Sequence, residues 1–232
     1  MTPPLWVVIP AAGKGSRFGG PVPKQYLPLN GSTVLEQTLS RFSCRKDVTG
    51  IVIAVAADDN DITRLVLPPG VHCVEGGKER ADSVRSALQF LIQQTGEHCL
   101  VAVHDAARPC VRQSALNKLF AAAQSAKAGA ILALPATDTV KQVEGLKVTA
   151  TIDRNRIWLA QTPQVFSAAA LLSALEEADA MGVAVTDEAS AIERTGISPE
   201  VVPGSADNIK ITSPGDLELA EFFLKRIREE GD

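Results

Sequence analysis

An α/β fold with a mainly parallel sheet and helices on both faces is what this sequence predicts. Two observations carry that expectation. Continuous apolar runs rich in β-branched residues recur at 5–9, 50–56, 99–103 and 130–134, and such runs read as strands buried on both faces. Between them lie segments with apolar residues three and four apart, the helical period. Strand–helix alternation of this kind builds a parallel sheet covered by helices.

The elements follow in order. Leu5-Trp6-Val7-Val8-Ile9 runs into Pro10-Ala11-Ala12-Gly13-Lys14-Gly15-Ser16-Arg17. That change to small residues and glycine places a loop at the strand's carboxyl end. Thr33 followed by Glu36 has the capping-box spacing that opens a helix. After the strand at 50–56, Val84, Ala87, Leu88, Leu91 and Ile92 trace a helical stripe, with Arg85, Gln89 and Gln93 facing away. Strands at 99–103 and 130–134 come next. From 139 to 152 the helical period disappears: Leu146, Val148, Ala150 and Ile152 alternate with Lys147, Thr149 and Thr151, and Glu144-Gly145 supplies a turn. That is a β-hairpin signal. A two-stranded ribbon is marginal alone, so its apolar stripe needs a cover, either its own domain or a second copy of the chain. The second copy is favoured, because the hairpin interrupts an already complete α/β pattern. Ser213-Pro214 puts proline at a first helical position, and 218–230 reads as a plain amphipathic helix. No linker or low-complexity stretch marks a second domain, so one domain over 1–232 is expected.

Composition narrows the function classes. The 232 residues carry a net charge of −4 without a Lys/Arg stripe, which argues against a nucleic-acid partner. The apolar start is too short for a membrane span and has no basic segment before it, so neither a membrane anchor nor a signal peptide is expected. Cys44, Cys73, Cys99 and Cys110 are widely spaced, and with only His72, His98 and His104 beside them no zinc-type ligand set forms. Reduced, mostly buried thiols in a cytoplasmic protein are expected.

Several motifs carry chemistry. Loops at the carboxyl ends of strands bind ligands in open α/β sheets. Here Gly13 and Gly15 permit close backbone approach to phosphates, and Arg17 and Lys24 add fixed positive charge. Phe18 stands where the dinucleotide fingerprint has its third glycine, and the P-loop ending is missing at the required spacing. Gly-x-Gly-x-Arg is also what an ordinary βα turn with a surface arginine looks like. Joined to Pro23-Lys24-Gln25, it becomes a nucleotidyltransferase signature. Gly76-Gly77 ahead of a helix start exposes N–H groups suited to a base edge or a phosphate, or forms a simple capped loop. Asp105, at the end of a central strand, suits Mg²⁺ or a turn cap; its position at a nucleotide mouth favours the metal. Thr186-Asp187-Glu188 is explained by an N-cap with acids complementing the helix dipole, with Thr186 also a candidate ligand contact. Lys210 lies within a short apolar run, where its charge calls for a partner anion. No Gly-x-Ser-x-Gly or Cys/His arrangement speaks for hydrolase chemistry.

Taken together, Pro10-Ala-Ala-Gly13, Arg17, Pro23-Lys24-Gln25-Tyr26, the 77–83 loop, His104-Asp-Ala-Ala-Arg-Pro109, Thr162-Pro-Gln164, Thr186-Asp-Glu-Ala-Ser190 and Asp207-Asn-Ile-Lys210 resemble the 2-C-methyl-D-erythritol 4-phosphate cytidylyltransferase family of the non-mevalonate isoprenoid pathway. The resemblance spans essentially the whole chain. It implies a Rossmann-like nucleotidyltransferase fold, transfer of CMP from CTP to methylerythritol phosphate, and Mg²⁺ as cofactor. The implied catalytic residues are Arg17, Lys24, Arg154 and Lys210. CTP would be held by Pro10, Ala11, Ala12, Gly13, Lys14, Gly15, Gly77, Lys78 through its backbone only, Ser83, Asp105 and Ala106, with Asp105 at the metal. Thr139, Arg154, Thr162, Thr186 and Lys210 would face the acceptor. The arm, about 136–157, would serve a homodimer by carrying Thr139 and Arg154 into the partner's site. Alternatives are a cytidylyltransferase for another polyol phosphate, such as ribitol 5-phosphate, and a non-catalytic nucleotide-binding module.

Overall fold

The computed structural model describes residues 2–13, 18, 22–126 and 128–232. Its main feature is a seven-stranded sheet in the order β11-β7-β10-β6-β1-β4-β5. In chain order the strands are β1 (Leu5–Pro10), the short pair β2 (Pro28–Leu29) and β3 (Ser32–Thr33), β4 (Val48–Val55), β5 (Val71–Glu75), β6 (Leu100–Val103), β7 (Ala130–Pro135), β8 (Val140–Glu144), β9 (Lys147–Ile152), β10 (Trp158–Ser167) and β11 (Glu200–Pro203). β1 pairs in parallel with both β4 and β6, β4 with β5, and β7 with β11. β10 alone runs antiparallel, between β6 and β7. The four apolar runs of the sequence are all strands of this sheet. β10 went unrecognised because Gln161, Thr162 and Gln164 interrupt its apolar pattern, and all three are buried.

Among the described residues the α-helices are α1 (Val34–Ser43), α2 (Arg80–Thr95), α3 (Gln113–Ser125), α4 (Ala168–Ala180), α5 (Glu188–Arg194) and α6 (Pro214–Glu230); the first five flank the sheet, and α6 packs beside β2 and the start of α1. Strand side chains alternate between faces. Val7, Ile9, Ile51 and Ile53 meet Leu35, Leu39 and Phe42 of α1 and Leu116 and Leu119 of α3 on one side. On the other, Trp6, Val8, Val52 and Val101 meet α2, α4 and α5 through Val84, Leu88, Leu171 and Ile192. Each such fully buried side chain contributes about 1.5–3 kcal/mol. The helix starts read at Thr33 and at Ser213-Pro214 are present. Thr33 Oγ1 accepts from the Glu36 N–H while Glu36 reciprocates, and Ser213 caps α6 with Pro214 at its first position. Residues 206–212 form no strand.

β8 and β9 pair only with each other. The turn is Gly145-Leu146, between the paired Glu144 and Lys147, and Gly145 has φ +58°, the left-handed value a tight hairpin turn demands of its first residue. Most of this arm's apolar stripe is exposed: Leu146 and Val148 face solvent, as do Trp158 and Leu159 at its root, while Ile152 is half-buried. Among the described residues no helix is long and apolar enough to cross a membrane. All four cysteines are free, but Cys44 and Cys73 are exposed, which corrects the expectation of mostly buried thiols.

Candidate active site

A pocket of about 390 Å³ opens over the carboxyl ends of the central strands, where open α/β sheets bind ligands. Residues 10–13, following β1, form one wall. The Gln25 side chain, buried, donates to the Ala11 carbonyl at 2.8 Å and so fastens this loop to the 3-10 turn Lys24–Tyr26. That turn brings Lys24 to the pocket, where its Nζ donates to the Ile211 carbonyl at 3.0 Å. The opposite wall is the β5–α2 loop. A Cβ on Gly76 would lie 2.7 Å from Ala12 Cβ and 2.8 Å from Ser83 Oγ, and one on Gly77 would run into Asp82. Only a glycine at 76 lets the two loops come this close. The Gly77 N–H donates to Ser83 Oγ at 3.2 Å, which ties the loop to the first turn of α2.

The floor is a knot of charge centred on Asp105, which is 7% exposed. Arg80 Nε donates to Asp105 Oδ1 at 3.0 Å, Lys210 Nζ lies 2.9 Å from Oδ2, and Arg108 Nε donates to Oδ2 at 3.4 Å. Arg80 also grips Glu188 in a two-pronged contact, Nη1 to Oε1 at 2.6 Å and Nη2 to Oε2 at 3.0 Å. Burial alone would raise the Asp105 carboxyl, but Arg80, Lys210 and Arg108 together hold it well below the usual carboxylate range. Burial works against the Arg80 charge as well, and Glu188 and Asp105 more than offset it. Among the described residues the pocket is lined by four basic residues, Lys24, Lys78, Arg80 and Lys210, and two acidic ones, Glu79 and Asp105. An acidic chain thus concentrates positive charge at one mouth, as polyanion recognition requires.

Beneath the floor, His104 is fully buried and faces the Phe42 ring edge-on. Burial lowers its pKa to about 4, so the ring is neutral. Its Nε2 is 2.9 Å from the Arg108 carbonyl and must carry the proton; Nδ1 then accepts from the Thr162 hydroxyl at 3.1 Å. Thr162 Oγ1 in turn accepts from the Asp105 N–H at 3.0 Å, and Asn208 Nδ2 donates to the Thr162 carbonyl at 2.9 Å. Asp105 is therefore fixed from its backbone as well as its carboxylate.

The family model described as IspD, 2-C-methyl-D-erythritol 4-phosphate cytidylyltransferase, matches residues 5–226. The chain belongs to this family. It is a nucleotidyltransferase. It is 47% identical over 228 residues to the cytidylyltransferase of Vibrio vulnificus strain YJ016, covering 97% of this chain and 96% of that protein. The Francisella tularensis enzyme's crystal structure superposes with a TM-score of 0.82 at 39% identity, covering 94% of this chain and 99% of that one. The Thermus thermophilus structure gives 0.77 at 33% identity, over 94% and 98% of the two chains. The Rossmann-like nucleotidyltransferase fold is thus shared along nearly the whole chain.

Of the residues that the sequence singled out, the cytidylyltransferase pocket is lined by Pro10, Ala11, Ala12, Gly13, Lys24, Gly77, Lys78, Ser83, Asp105, Ala106 and Lys210. Lys14, Gly15 and Arg17 lie outside the described residues. Thr162 is buried behind the floor instead of lining it. Thr186 precedes α5 on the exposed side, and Thr139 and Arg154 lie on the arm, so these three do not line the pocket of their own chain. The charge Lys210 required is answered by Asp105. Arg80 and Glu188 were missed as site residues. Asp187 does cap α5, accepting from the Ser190 N–H, but Glu188 gives its carboxylate to Arg80 and does more than complement the helix dipole. One signal for Arg80 was available: a cation at the first position of a helix opposes the dipole and asks for another reason.

Among the described residues no group of three or more His, Cys, Asp or Glu could hold a metal. Asp105 is the carboxylate at the pocket floor. That donor set fits Mg²⁺ carried by a triphosphate, because this ion keeps phosphate oxygens and waters and needs one or two carboxylates from a protein. Lys210 is the most exposed of the three cations on Asp105, at 36% against 30% for Arg80 and 13% for Arg108.

Proposed function

We propose that the pocket binds CTP and directs its α-phosphate to the phosphate of 2-C-methyl-D-erythritol 4-phosphate, forming 4-diphosphocytidyl-2-C-methyl-D-erythritol. An acceptor phosphate oxygen bonds to the α-phosphorus. The bond from that phosphorus to the bridging oxygen breaks, and pyrophosphate leaves with the electron pair. No side chain becomes covalently attached. The observation that carries this reading is the meeting of two loops, packed together at Gly76, with Lys24 and Lys210 on one pocket.

Residues 10–15, Gly77, Lys78 through its backbone, Ser83 and Ala106 hold the nucleotide. A phosphomonoester carries roughly −1.5 to −2 charge and must approach a triphosphate, so fixed cations are needed where charge spreads in the transition state. Lys24 and Arg17 serve the α-phosphate, and Lys210 the acceptor phosphate, with Thr162 and Thr186 on the acceptor side. When bound, Mg²⁺ at Asp105 neutralises phosphate charge.

The chain acts as one cytidylyltransferase domain over 1–232, and as a homodimer. The arm, about 136–157, crosses to a second subunit and delivers Thr139 and Arg154 to its pocket. Support comes from the uncovered Val148, Leu146, Trp158 and Leu159, and from the exposed Arg154, whose Nη1 donates within the arm to the Thr137 carbonyl. The free cysteines accord with a cytoplasmic location.

Pyrophosphate release tests the reading. CTP with methylerythritol 4-phosphate should turn over, while ATP, GTP and UTP should be poor: a purine is too large, and uracil lacks the exocyclic amine. Comparable turnover with ATP would overturn the nucleotide assignment, and preference for ribitol 5-phosphate would overturn the acceptor.

A further inference from the structure

Arg80 occupies the first position of α2, where the helix dipole disfavours a cation. Its guanidinium nevertheless sits in the pocket floor, with Nε, Nη1 and Nη2 all donating to carboxylates. Those carboxylates come from two other elements: Asp105 follows β6, and Glu188 is the first residue of α5. The Glu188 side chain is 2% exposed. Burying such a triad costs several kcal/mol of desolvation per ion, and apolar residues of like volume commonly serve stability as well or better. Stability alone therefore does not account for it.

The geometry offers a different account. Asp105 has two oxygens with separate duties: Oδ1 takes Arg80, leaving Oδ2 to Lys210 and Arg108. We infer that Arg80, anchored by Glu188, is a positioning residue for the transfer, holding Asp105 in the orientation that presents Oδ2 to Lys210 and locking the β5–α2 loop to the start of α5. The inference rests on the reaction assigned above. A lysine at 80 keeps the charge but cannot serve three acceptor oxygens in one plane, because an ammonium lacks the planar fork. Losing Glu188 frees the guanidinium to rotate and loosens its hold on Asp105 Oδ1. Neither change removes a group assigned to CTP, so the effect should fall on the chemical step.

The test uses purified full-length Arg80→Lys, Glu188→Gln and the double variant, with kcat, CTP affinity and CTP-binding stoichiometry from calorimetry, and thermal unfolding. By analogy with groups that orient a metal ligand, kcat should fall about 10–100-fold in each single variant. CTP should bind at unchanged stoichiometry, with affinity within about threefold. The double variant should be little worse than either single one, because the two residues act as a unit. Parental kcat in Glu188→Gln overturns the inference even if Arg80→Lys fails to fold. Stoichiometry falling in step with kcat in both single variants also overturns it, since that marks lost folded protein. Parent protein that neither binds CTP nor releases pyrophosphate refutes the assigned reaction instead, which keeps the two failures apart.

Discussion

The floor of the pocket and the arm are built on opposite terms. Asp105 is held by groups from distant parts of the chain: Arg80 of α2, Lys210 and Thr162 of β10 all reach it, and Glu188 of α5 grips Arg80 in turn. The arm pairs only with itself and leaves Leu146 and Val148 to solvent. One region is tied together by contacts from distant parts of the chain and the other is not. A site that draws on both needs a second copy to bring the arm's Arg154 to a pocket it does not line at home. On the function proposed above, preorganisation would be intramolecular for the nucleotide half and intermolecular for the acceptor half.

The largest effect should come from breaking both halves at once. Lys24→Ala should lower kcat about 10²–10³-fold with CTP binding little changed, by analogy with removal of one transition-state donor. Arg154→Ala should also be crippled. Mixing the two allows subunit exchange, and each mixed dimer has one site that keeps both residues and one that lacks both. Activity should then recover to about a quarter of the parental value for random pairing. Sizing that shows mixed dimers without recovered activity would place Arg154 in its own chain's site and dissolve the contrast between the two regions.

A smaller effect sharpens the claim that the pocket floor is bound into the fold. His104 titrates near 4 when folded, against an ordinary value of 6.5. Between those values the unfolded chain takes up a proton that the folded chain refuses, so stability falls as pH drops from about 6.5 to about 4 and this contribution then levels off. The loss amounts to about 3 kcal/mol. The Asp105 carboxyl is also held below its ordinary value, and it keeps its contribution until pH falls below the usual carboxylate range, so the two windows separate. Urea unfolding at several pH values should show the slope in the parent and a shallower one in His104→Gln. Equal slopes would remove the buried neutral imidazole from the account.

The strands and helices that build the pocket were legible because local patterns suffice for them. Continuous apolar runs became β1, β4, β6 and β7, and Thr33 with Glu36 became the predicted cap. The antiparallel β10 was not legible, since Gln161, Thr162 and Gln164 look like surface residues until their partners across the fold are known. The same holds for the site. Glycine loops and Lys24 announce themselves by spacing, whereas Arg80 and Glu188 are 108 residues apart and have meaning only as a pair. Glu188 at a helix start had a sufficient local explanation, and that explanation concealed the tertiary one.

The smallest effect concerns the arm alone. Leu146 and Val148 are exposed in the chain at 103% and 61%, so they contribute little to the fold of a single subunit. Replacing both, Leu146→Ser with Val148→Thr, should change unfolding of the isolated subunit by no more than about 0.5 kcal/mol, the ordinary range for surface positions. The same substitutions remove apolar area from the surface assigned to the partner and should raise the concentration at which dimers form. Because association stabilises whatever it binds, the apparent stability of the parent should rise with protein concentration more steeply than that of the variant. Sedimentation equilibrium and unfolding at two concentrations read both quantities. A loss of about 2 kcal/mol in the dilute, monomeric variant would mean that the stripe is covered by its own chain, and the arm would then belong with the floor of the pocket as an intramolecular element.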